Sequence, residues 1–119
     1  MINIGLDTGR ERHQFHILDA SKGTRDTGFL PNTSWAYEAW AGHIESAYGL
    51  NVQLAIESCN GLASPLDQYL AARGWQILQI PPSAVKSYRE NVMGQHDKTD
   101  ATDAHALALL ACEAGPRFK

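Results

Sequence analysis

Asn51-Val52-Gln53-Leu54-Ala55-Ile56-Glu57 is the stretch on which the fold turns. Val52, Leu54 and Ile56 alternate with Gln53, Ala55 and Glu57, the period-two pattern of a strand, and the run closes on an acid. The same pattern opens the chain. Ile2, Ile4 and Leu6 alternate with Asn3, Gly5 and Asp7, and this strand also ends on an acid. Between the two lie two further strands, Gln14 to Asp19 and Thr24 to Leu30, joined through the Thr8-Gly9-Arg10 and Ser21-Lys22-Gly23 turns. A helix follows from a Thr33 or Ser34 cap to about Tyr48, stopped by Gly49, with Ala36, Trp40, Ile44 and Ala47 on its inner face. Three strands with tight turns form an antiparallel meander. After a right-handed helical crossover, the fourth strand returns parallel to the first.

Beyond Glu57, Leu62, Leu66, Tyr69 and Leu70 mark a helix ended by Gly74. Trp75 to Ile80 is a fifth strand. Pro81-Pro82 starts a helix with Val85, Tyr88 and Val92 on one side, and Met93 to Asp97 is a loop. The spacing therefore predicts an α/β fold, β-β-β-α-β-α-β-α-α, with a mixed five-stranded sheet and helices on both faces. Sheet order reverses direction between strands one and four, and clefts open at such switch points beyond the strands' carboxyl ends. Neighbouring strands are about 4.8 Å apart, so Asp7 and Glu57 are expected close together at that edge.

The last helix adds to them. Asp97-Lys98-Thr99-Asp100-Ala101-Thr102-Asp103-Ala104-His105 runs into Ala106-Leu107-Ala108-Leu109-Leu110-Ala111. Thr99 is a good N-cap, and Asp100 and Asp103 share one face of the first turn, continued by Leu107 and Leu110. Alone, the pair is what any helix N-terminus favours. With Asp7 and Glu57 it becomes four acids in one cleft, which repel unless cations neutralise them. Oxygen-only ligands suit Mg²⁺ first and Mn²⁺ second, and two such ions support phosphodiester chemistry. Lys98 adjoins the acids. Lys86 and Arg89, three apart on the preceding helix, read alone as an ordinary solvated face; with Lys98 and Arg10 they are candidate contacts for a nucleic-acid backbone.

The 119 residues suffice for one domain. Hydrophobic content of 44% and charged content of 19% indicate a soluble globular chain. No run is long enough to span a bilayer and no signal-peptide pattern opens the chain, so a cytoplasmic (nucleoid) location without a membrane partner is expected. Net charge of −3 neither announces nor excludes a nucleic-acid binder. Cys59 and Cys112 lack CxxC spacing and read as reduced. The histidines at 13, 16, 43, 96 and 105 form no HxxxH pair. His13 and His16 fall on opposite strand faces and read as surface or partly buried side chains.

Ile4-Gly5-Leu6-Asp7, Ala55-Ile56-Glu57-Ser58 and Lys98-Thr99-Asp100-Ala101-Thr102-Asp103-Ala104 resemble the three blocks of the DEDD transposases of insertion-sequence family one-hundred-and-ten, relatives of the Piv-type DNA invertases. Phe29-Leu30-Pro31-Asn32-Thr33 and Gln79-Ile80-Pro81-Pro82 are also similar to it. The first block is weak by itself; the third, at its proper distance, is specific. The resemblance implies an RNase H-like (RuvC-like) fold and assigns Asp7, Glu57, Asp100 and Asp103 to a catalytic Mg²⁺-binding tetrad. It implies DNA as partner, in some members a structured bridge RNA, and an assembly of two or four protomers. It also implies that residues 1–119 form a single N-terminal domain, without the C-terminal domain whose serine attacks the phosphate, so that recombination by this chain alone is not expected. Cys59-Asn60-Gly61 departs from the family's usual threonine-glycine.

Three other functions compete. A stand-alone Holliday-junction-type nuclease would use the same fold with water as nucleophile. A non-catalytic nucleic-acid-binding or oligomerisation relic would not need the acids. Half of an actin-like ATPase or sugar kinase is prompted by Gly5-Leu6-Asp7-Thr8-Gly9, but no second phosphate loop accompanies it.

Overall fold

The computed structural model describes residues 1–57 and 65–118. Its elements are β1 (Ile2–Asp7), β2 (Arg12–Leu18), β3 (Thr24–Pro31), α1 (Ser34–Tyr48), β4 (Val52–Glu57), α2 (Pro65–Ala72), β5 (Gln76–Ile80), α3 (Pro82–Asn91) and α4 (Asp100–Ala114), followed by a 3-10 turn at Gly115–Phe118. The order is the expected one. So is the topology: one five-stranded sheet, β3-β2-β1-β4-β5. β1 pairs antiparallel with β2 and parallel with β4, and β4 pairs parallel with β5. No described helix is long and apolar enough to cross a membrane.

Alternation sorts the strand side chains between two layers. Ile4, Leu6, Phe15, Ile17, Leu54 and Ile56 point toward α1 and α2, where Ala36, Tyr37, Ile44, Leu66 and Leu70 close a buried cluster. Ala55, Leu78 and Ile80 face the other way, beneath α3 and α4, with Val85, Leu107 and Leu110. Each fully buried leucine here contributes about 2 kcal/mol of transfer free energy.

α1 starts where Thr33 Oγ1 accepts from the Ala36 amide at 3.3 Å, and ends at Gly49, whose φ of 92° favours glycine. Its buried residues are Ala36, Tyr37, Ala41 and Ile44; Ala47, expected inside, is exposed. Trp40 is half-buried between Phe15 and Trp75, with ring centroids 5.5 Å from each. Val92, expected on the inner side of α3, is exposed at the C-cap, although its amide still donates to the Tyr88 carbonyl. Leu62 lies outside the described residues.

α4 lies on the sheet at van der Waals range of its backbone. A Cβ on Gly5 would stand 1.9 Å from the Ala104 carbonyl oxygen and 2.4 Å from the Ala108 nitrogen. Only glycine lets the helix approach this closely. Near the other end of the helix, the buried Gln53 amide donates to Asn3 Oδ1 at 2.8 Å and to the Ala111 carbonyl at 2.9 Å. The helix start is fixed by a reciprocal pair. The Thr102 amide donates to Thr99 Oγ1 and the Thr99 amide to Thr102 Oγ1, both at 3.1 Å.

Candidate functional site

The register of β1 on β4 pairs Leu6 with Ile56, so Asp7 and Glu57 follow on the next rung, on the face that α4 covers. Both are half-buried. Because Gly5 sets α4 close to β1, the first turn of the helix arrives beside them. Asp100 comes near enough to Asp7 for their side chains to interact. The Asp7 carboxyl is pushed up to about 7, first by burial, then by the Asp100 interaction and the charges of Asp100 and Asp103, with Lys98 opposing.

Asp103, one turn on, is 1% exposed and holds two cations. Its Oδ1 accepts from Arg89 Nη1 at 2.7 Å and its Oδ2 from Lys98 Nζ at 2.5 Å. The Lys98 ammonium is held above its ordinary range by that bond, with Asp7 and Glu57 adding to it. Glu57, Lys86, Arg89, Lys98 and Asp103 line one cleft, floored by Pro82 and Val85. Arg10 sits apart, exposed in the β1–β2 turn, where its carbonyl accepts from Asn32 Nδ2 at 2.9 Å.

Arg89 corrects the picture of a solvated helix face shared with Lys86. It is 5% exposed and turned inward onto Asp103, while Lys86 stays in solvent. The signal was present in the chain. Val85, Tyr88 and Arg89 are spaced i, i+3, i+4, so Arg89 lies on the apolar stripe of α3. Asp7 and Glu57 share a rung, while Asp103 is paired with Arg89 and Lys98. Among the described residues, no group of three or more His, Cys, Asp or Glu side chains is close enough to hold a metal ion.

A family model described as transposase, of the IS110 DEDD type, matches residues 4–118. The chain belongs to this transposase family. DEDD transposases are nuclease and recombinase enzymes, and this nuclease and transposase class generally uses divalent metal ions. Among solved structures, the fowlpox virus Holliday junction resolvase is similar, with a TM-score of 0.57 and 14% identity over 96% of this chain and 99% of the resolvase. The ROK hexokinase from Thermus thermophilus is similar at a TM-score of 0.50 and 19% identity, over 81% of this chain. The chain spans only 39% of the hexokinase's length. Both likenesses are of fold, and the first fits the RNase H-like, RuvC-like architecture of a DEDD transposase domain. No curated protein matches the chain.

The transposase domain also carries a histidine pair that spacing alone did not reveal. His16 of β2 and His105 of α4 stack with centroids 4.1 Å apart and planes 3° from parallel. Burial and then the neighbouring His105 push His16 down to about 4, and burial lowers His105 as well. The fold thus keeps both rings neutral, whereas the unfolded chain protonates them near pH 6.5. The contribution of His16 is present above that pH and is lost as pH falls from about 6.5 toward 4. Asp7, raised, acts oppositely in much of the same window, so a difference is the informative measurement. Relative to the parent, His16→Gln should gain stability as pH is lowered from 7 to 4 in urea denaturation. A parent–variant difference that stays flat with pH would refute this.

Proposed function

We propose that this domain is the metal-binding core of DNA cleavage and strand transfer, with Asp7, Glu57, Asp100 and Asp103 as ligands of Mg²⁺, or of Mn²⁺ in its place. The observation that carries the reading is the Asp7–Asp100 contact beside the Glu57 rung, with Asp7 forced toward its protonated form. Acids brought this close without compensation repel, and a divalent cation relieves the repulsion better than a proton. The donors are all carboxylate oxygens, which suits a hard ion. Bound there, the metal would activate a nucleophile and stabilise the leaving oxygen of a phosphodiester.

The remaining roles follow from placement. Arg89, buried behind Asp103, positions that carboxylate. Lys98 reaches Asp103 from solvent with a side chain 65% exposed, so it is the partner free to release Oδ2 and turn to a DNA phosphate. Lys86 and Arg10 would follow the backbone on either side. A bridge RNA and an assembly of two or four protomers complete the proposal, with the nucleoid as its place of action.

Calorimetric titration with Mn²⁺ tests the metal assignment without any turnover. Asp7→Ala and Asp100→Ala should each weaken binding by about tenfold or more. Parent-like affinity in both variants would reject the tetrad. Efficient cutting of branched DNA by this chain alone with Mg²⁺ would replace strand transfer by a stand-alone junction nuclease.

A further inference from the structure

The rung that joins Glu57 to Asp7 does not stop there. Asp7 pairs with Gln14 on β2, and Gln14 pairs with Phe29 on β3. Neighbours across a ladder share a face, so Asp7, Gln14 and Phe29 stand in one row on the α4 side of the sheet. Leu30, the next residue, is buried on the opposite side with the α1 cluster, which fixes the direction of Phe29. Two strand spacings, about 10 Å, separate the row's acid from its aromatic ring.

Phe29 is 49% exposed, on the edge strand. The guanidinium carbon of Arg12 lies 3.7 Å from its ring centroid. Arg12 itself is exposed and belongs to the same face of β2 as Gln14. On the other side of Gln14 runs a trough of mixed character between the sheet and the start of α4, where Met93 and Ala101 lie beside Gln14, Thr27, Gln95 and Thr102.

A single exposed phenylalanine is ordinary and asks for no explanation. Two features set this one apart: its rung leads directly to Asp7 through the polar Gln14, and a guanidinium already stacks on it. A flat ring with a cation beside it and a polar side chain along the way is the chemistry that receives an unpaired nucleobase and its phosphate.

We infer that Phe29 and Arg12 form a stacking platform for an unpaired base of the DNA strand whose backbone passes the acid row. The inference rests on the reading of that row as the DNA-cutting site, and it adds which residues hold the strand beyond it.

Binding of a short labelled single-stranded oligonucleotide, followed by fluorescence anisotropy in EDTA, tests the platform independently of metal. Phe29→Leu keeps an apolar side chain of similar bulk and should weaken binding about tenfold or more, whereas Phe29→Tyr should bind as the parent does. Arg12→Gln should weaken it as well. A 2-aminopurine in the oligonucleotide should lose fluorescence on binding to the parent and not to Phe29→Leu. Parent-like binding by Phe29→Leu, or no single-strand binding by the parent, overturns the inference. So does a Phe29→Leu variant whose only change is in oligomeric state, since the ring would then cover a second copy. Calorimetric Mn²⁺ binding by Phe29→Leu should equal the parent's, so failure of the platform and failure of the metal site are read separately.

Discussion

Gly5→Ala is expected to lower the unfolding free energy by about 3 kcal/mol or more, the upper end of what overpacking costs. The new methyl would meet the Ala104 carbonyl oxygen at 1.9 Å and the Ala108 nitrogen at 2.4 Å. Both are backbone atoms, so no side-chain rotation relieves the clash. α4 has to lift off β1, which opens the layer filled by Ala106, Leu107 and Leu110 and strains the Gln53 bond to Ala111. Against a total stability of order 5–15 kcal/mol for a domain, this is a large fraction. Urea denaturation checks it, and a loss below about 1 kcal/mol would show that the helix does not seat on Gly5. Because Asp100 rides on the same helix, the Asp7–Asp100 contact should fail too, and the Asp7 carboxyl should titrate closer to its ordinary value by NMR.

Arg89→Met is expected to cost about 3–5 kcal/mol. The substitution keeps the stem that packs on α4 and removes the guanidinium from a carboxylate that is 1% exposed. Lys98 remains on Oδ2, but its ammonium reaches in from solvent and does not replace the lost donor on Oδ1. The penalty is mostly that of a buried charge left half-compensated. An Arg89→Met/Asp103→Leu pair should therefore recover much of the loss, since a buried ion pair exchanged for apolar residues is commonly neutral in stability. Equal stability of Arg89→Met and the parent would mean that the pair has no structural role.

The architecture was legible because alternation, helix stops and the crossover rule all pointed the same way. Ile2 to Asp7 and Asn51 to Glu57 carry the same period-two pattern with an acid at the end, and a parallel pair of them leaves little freedom in where those acids fall. Gly49, Gly74 and Thr99 mark helix limits through backbone conformation and capping, which are local properties. What was not legible depended on partners distant in the chain. Arg89 reads as a solvated charge until Asp103 is known to face it across α3 and α4. The His16–His105 stack joins residues 89 positions apart whose separate patterns say nothing of each other. Ala47 and Val92 were placed inside from their spacing alone, but at the last turns of α1 and α3 no described element covers them, and both are exposed. That Asp7 and Glu57 end adjacent strands was legible in the chain; that Arg89 and Lys98 hold Asp103 was not, because those contacts join separate elements.

The seating of α4 on β1 also has a consequence for how the molecule comes into being. The strand that opens the chain is covered by the helix that forms among its last residues. During synthesis Asn3, Gly5 and Asp7 therefore wait, bare on one side, until Ala104, Ala108 and Ala111 have left the ribosome. The meander and the parallel return can form before that moment, but Asp100 and Asp103 cannot meet Asp7 until after it. The acidic cleft is thus assembled only after α4 has been made, and no nascent chain that stops short of α4 presents it.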